Sequence, residues 1–75
     1  MKFVELTGKA LARIVRDEEL HTDDLAAAGI EDDTIVRINE QGDIEVRRPR
    51  GWDLVGGLLG EYRERIRRLT GMEYA

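Results

Sequence analysis

The sequence predicts an α+β domain: two short N-terminal helices after a short extended segment, an antiparallel β-hairpin over about residues 34–39 and 43–48, and a long C-terminal amphipathic helix over about residues 52–70. Three observations carry this prediction. Two β-prone runs flank Glu40-Gln41-Gly42, aliphatic residues recur at helical spacing from Leu54 to Leu69, and helix-capping residues precede the first two helical stretches.

Residues 2–6 read as extended because Phe3 and Val4 are β-prone. Thr7 is then an N-cap for a helix from about Gly8 to Arg16, with Ala10, Leu11, Ile14 and Val15 on one face and Lys9, Arg13 and Arg16 on the other. Thr22 followed by Asp23 and Asp24 predicts a second, short helix that Gly29 ends, since a left-handed residue costs glycine nothing.

The hairpin follows from Thr34–Asn39 and Asp43–Arg48, with Gly42 at the left-handed position of a three-residue loop. Closing it on Asn39 and Asp43 pairs Ile38 with Ile44, Arg37 with Glu45 and Val36 with Val46. A slip of one residue would carry the aliphatic set to the charged face, so the register is well specified. Pro49-Arg50-Gly51 ends this sheet. In the long helix, Leu54, Val55, Leu58, Leu59, Tyr62, Ile66 and Leu69 share one sector, Gly71 closes the end, and Glu61–Arg65 and Glu64–Arg68 are i, i+4 pairs in the stabilising order.

Seventy-five residues with no cysteine, one proline and a 41% hydrophobic fraction allow one small domain, residues 1–75, and exclude disulfides, thiolate metal sites and thiol chemistry. The chain lacks an apolar run of about 20 residues that could cross a bilayer and lacks a signal-peptide pattern, so the expected location is the cytoplasm. The net charge of −4 divides unevenly. Up to Glu45 five basic residues face twelve acidic ones, and beyond it seven face four, giving −7 and +3.

Catalysis has little to work with. There is no serine, the four threonines have capping or strand roles, and His21 is the single imidazole, placed just before a helix cap. The acidic runs Asp17-Glu18-Glu19 and Glu31-Asp32-Asp33 lack the alternating ligands and central glycine of a calcium loop. GGLLG lacks the lysine and hydroxyl of a phosphate loop. No enzyme, metal or cofactor is expected.

Two contact surfaces remain. The first makes the chain a non-catalytic protein-interaction or regulatory module, self-associating as a homodimer or docking on a larger protein through the C-terminal helix. Val55, Leu59, Tyr62, Ile66 and Leu69 follow the 4-3-4-3 spacing of a coiled-coil seam, and Gly56 and Gly60 form a side-chain-free strip on the opposite side where another backbone can approach. The alternative is a nucleic-acid-binding module that uses the basic and aromatic segment Arg47, Arg48, Arg50 and Trp52 together with the row Arg63 and Arg67. The acidic total opposes that alternative, because counterion release requires uncompensated positive charge.

Overall fold

A computed structural model describes residues 2–74. The chain runs β1 (Phe3–Thr7), α1 (Gly8–Ile14), a single 3-10 turn (Asp17–Glu19), β2 (Ile35–Asn39), β3 (Asp43–Arg48), β4 (Gly51–Gly57) and α2 (Tyr62–Thr70). The strands form one antiparallel sheet in the order β1-β2-β3-β4. Alternation along the strands turns Val4, Leu6, Val36, Ile38, Ile44 and Val46 to one face, where they bury against Leu11, Ile14, Ile30, Leu58 and Ile66. Both helices therefore lie on the same side of the sheet.

The central hairpin has the register its sequence specifies, Val36 to Val46, Arg37 to Glu45 and Ile38 to Ile44. Gly42 adopts φ 88° in its turn, and its N–H donates to Asn39 O at 3.0 Å. The extended N-terminal segment is β1, paired with β2 along its length. Thr7 caps α1 by accepting the Ala10 N–H at 3.3 Å.

The fold expected for the two ends of this layout is overturned. Among the described residues there is no long C-terminal helix and no pair of N-terminal helices. Residues 51–57 are a fourth strand, and the C-terminal helix begins only at Tyr62. Pro49-Arg50 makes a tight turn instead of ending the sheet, and Trp52, Leu54 and Val55 are β-prone residues that return along β3. A helix here would carry three glycines in its interior at about 1 kcal/mol each. One of them, Gly60, stands at φ 69°, outside helical geometry. The helical spacing of Val55 with Leu59 arises from a bulge between Leu54 and Gly56, which turns Val55 into the core. The stretch beginning at Thr22 forms only an irregular turn. Asp24, and not Thr22, supplies the cap by accepting the Ala27 N–H at 2.7 Å, and so few residues cannot sustain a helix.

Two glycines are required by close backbone approach. A Cβ on Gly8 would stand 1.9 Å from Glu31 O, and one on Gly56 would stand 2.1 Å from Glu19 O. Gly57 meets nothing nearer than 3.8 Å. In urea unfolding, Gly8→Ala and Gly56→Ala are expected to lose about 2–3 kcal/mol each, whereas Gly57→Ala stays within about 0.5 kcal/mol of the parent. Equal losses at all three positions would contradict this geometry.

Candidate functional site

A buried carboxylate, Glu19, lies at the end of the 3-10 turn and is 2% exposed. Its carboxylate accepts both terminal nitrogens of Arg65 on α2, at 2.7 and 2.8 Å, the Arg16 N–H at 2.8 Å and the Leu59 N–H at 2.6 Å. Arg65, itself 5% exposed, also donates to Ile14 O and Leu59 O, each at 2.7 Å. The pair thus joins the end of α1, the 3-10 turn, the β4–α2 loop and α2. Burial disfavours the charged carboxylate. The Arg65 hydrogen bonds, the two backbone N–H groups and the Arg65 charge together outweigh it and hold Glu19 below its ordinary value. Arg65 is pushed up, because its hydrogen bonds to Glu19 and the Glu19 charge exceed its own desolvation.

Among the described residues no helix covers the other face of the sheet. Arg37 lies at its centre, bonded through Nε to Glu45 Oε1 at 3.0 Å. Its guanidinium carbon is 4.0 Å from the Phe3 ring centre and 4.1 Å from the Trp52 ring centre. The side chains of β1, β2 and β4 thereby form an aromatic–guanidinium–aromatic stack. Half-buried Ile35 and Leu54, which is 52% exposed, flank it, and exposed Glu5 and Arg47 stand directly across the ladders from Arg37 and Trp52.

The residues expected in a helical contact seam are dispersed. Val55 and Gly56 belong to β4 and are buried, Ile66 is wholly buried, and Leu69 is half-buried against the core. Tyr62 docks on the β2–β3 turn by donating its hydroxyl to Glu40 O. Leu59 is exposed but sits in the loop before α2, and Gly60 adjoins it in left-handed geometry. Among the described residues no coiled-coil seam or glycine strip exists, because only Tyr62, Ile66 and Leu69 share a helix, while Val55 and Gly56 lie in β4 and Leu59 and Gly60 in the loop between β4 and α2. The surface helix pairs also differ. Arg65 turns inward to Glu19 instead of to Glu61, and Glu64 pairs with Arg67 at 2.7 Å instead of with Arg68.

The basic groups are likewise separated. Arg47, Arg50 and Trp52 lie near the β3–β4 turn, where Arg48 is engaged by Ala28 O at 2.6 Å, Gly29 O at 3.2 Å and Asp53 at 3.7 Å. Arg63 and Arg67 lie by the β2–β3 turn, since Arg63 reaches Glu40 O at 3.4 Å and stacks on Tyr74 at 4.7 Å. The six residues of β3 put these ends about 17 Å apart. Tyr74 donates its hydroxyl to Asn39 O at 2.8 Å, and burial, together with Tyr62 and Glu40 and against the opposing Arg63 charge, pushes it up to about 12. Among the described residues no group of three or more acidic or histidine side chains is placed to hold a metal, and no helix is long and apolar enough to cross a membrane.

Sequence reasoning missed both members of the buried pair. Arg65 had a usable signal, since it lies three residues after Tyr62 and four before Leu69, within the apolar sector of α2. Glu19 had none, sitting last in a run of three acids whose other two members are exposed. Comparison with protein families, curated proteins and solved structures finds no match for the chain.

Removing one partner of the buried pair leaves a charge without compensation, so Glu19→Gln and Arg65→Met are each expected to cost about 3–5 kcal/mol in urea unfolding. Because the folded value of Glu19 is depressed, its contribution is complete above the ordinary carboxyl value of 4.5 and is lost as the pH falls through the lower folded value. The stability gap between parent and Glu19→Gln should therefore narrow on acidification below about pH 4. A gap independent of pH would refute the assignment.

Proposed function

We propose that the chain is a small non-catalytic interaction module that self-associates through the open face of its sheet, and that it works in the cytoplasm. The observation that carries this reading is one-sidedness. Both helices and the whole aliphatic core occupy one side, leaving the other side of a four-stranded sheet with Ile35, Leu54 and the Phe3–Arg37–Trp52 stack. Stacking fixes the rotamers of these long side chains before any contact forms, which lowers the entropy that association must offset.

A second copy suits this face by charge. A two-fold axis parallel to the strands and between β2 and β3 sets Arg37 of each copy over Glu45 of the other, converting two ion pairs into one alternating cluster. Four strands at about 4.8 Å spacing and five residues at about 3.4 Å present roughly 300 Å² in projection. Such a contact belongs with small, reversible interfaces.

Nucleic acid is the weaker reading. Its two basic groups lie at opposite ends of the sheet, the Trp52 ring is occupied by Arg37, and Arg67 is neutralised by Glu64. Sedimentation equilibrium is the decisive measurement: reversible dimerisation is expected, and Ile35→Lys, in a strand interior to the sheet, should weaken it at least about tenfold. A parent that remains monomeric at high concentration, or dimerisation indifferent to Ile35→Lys, removes the proposal. Salt-dependent binding of single-stranded oligonucleotides would favour the alternative.

A further inference from the structure

The edges of the sheet differ from its face. Alternation of hydrogen-bonded pairs can be followed across the strands from three backbone contacts, Gly8 N–H to Thr34 O at 2.8 Å, Gly42 N–H to Asn39 O at 3.0 Å and Leu58 N–H to Gly42 O at 2.8 Å. Applied to β4, this alternation turns Asp53 toward β3 and points the N–H and C=O groups of Trp52 and Leu54 outward. Among the described residues those outward groups have no partner elsewhere in the chain.

The rest of the same edge is occupied. Leu20 forms an isolated antiparallel bridge with Gly56, and the His21 N–H donates to Val55 O at 2.9 Å. Gly56 permits the approach by lacking a Cβ. The segment directly before the bridge is Glu19, fastened by Arg65 and Leu59. Leu20 and His21 are thus a two-residue strap, held at its root by a buried ion pair, that closes half of an exposed strand edge.

We propose that this strap is an edge guard: seated, it prevents β4 from pairing with β4 of a second copy, and released, it clears the place beside Val55 that pairing through the outward groups of Trp52 and Leu54 requires. The occupant is argued from the edge itself. An antiparallel two-fold centred on Trp52 is self-complementary in hydrogen bonding and puts Asp53 beside Gly51 and Arg50 of the other copy, avoiding the opposed carboxylates that centring on Asp53 would create. In that arrangement the other copy's β3–β4 turn falls at Val55, where His21 now stands. Edge pairing and the seated strap therefore compete for one place. This goes beyond the proposed face contact and does not depend on it, since strand edge and sheet face are separate surfaces.

The test is chemical synthesis of the chain with the backbone nitrogen of His21 methylated, which deletes the donor to Val55 O and keeps the side chain, alongside the encoded variant His21→Pro. Circular dichroism checks the fold, and amide exchange at Gly57, whose N–H faces Glu19 O across the Leu20–Gly56 bridge, reads strap release. Release is expected to raise the self-association constant at least about tenfold over the parent. That added association should vanish when the outward backbone nitrogen of Leu54 is methylated, and it should survive Ile35→Lys. Folded variants whose strap is released but which associate no more than the parent overturn the proposal, as does added association that tolerates N-methylation at position 54. Loss of parental dimerisation on Ile35→Lys addresses only the face, so the two readings fail separately.

Discussion

The fold depends on one buried ion pair. A domain of this size has few apolar contacts to hold its connections, and the segment between α1 and the first turn of the long loop carries three consecutive acids. Glu19 is the one drawn inside, and it satisfies four donors while its partner Arg65 satisfies two carbonyls besides. A buried pair of this kind contributes little net stability compared with a well-packed apolar pair. What it specifies is arrangement. Only one placement of the 3-10 turn, the β4–α2 loop and α2 satisfies all of these groups, and the core residues Leu11, Ile14, Leu58 and Ile66 are brought together by the same placement.

The central hairpin was legible because two signals with different origins agree in it. Gly42 fixes the loop and the alternation of Ile38, Val36, Ile44 and Val46 fixes the register, so one alignment satisfies both. The C-terminal third is not legible from spacing, because the apolar pattern runs across a strand and a loop before it reaches the helix. Val55, Leu59, Tyr62, Ile66 and Leu69 are apolar for four separate reasons: a bulge into the core, an exposed loop position, a hydroxyl anchor at the β2–β3 turn, and, for the last two, the inner face of a nine-residue helix. The glycines carried the contrary signal. Their cost in a helix was real, and its resolution was that they do not stand in one.

The candidate site was half legible for a similar reason. Pairing Arg37 with Glu45 follows from hairpin register, but the stacking of Arg37 between Phe3 and Trp52 requires knowing that β1 and β4 flank the hairpin on either side. Sheet order is a long-range property that local periodicity does not contain. The same limit applies to the uneven charge: the basic residues of the last thirty positions are divided between opposite ends of the sheet and the interior, so a sum along the chain does not describe a field in space.

The stack on the open face has an optical consequence. Trp52 is the single tryptophan of the chain, and its indole is in contact with a guanidinium on the side of the sheet that lacks a covering layer. Its emission therefore reports on that surface alone, free of any contribution from the aliphatic interior behind the sheet. The chain carries an intrinsic fluorophore at the one place where an arriving surface would exclude water from it.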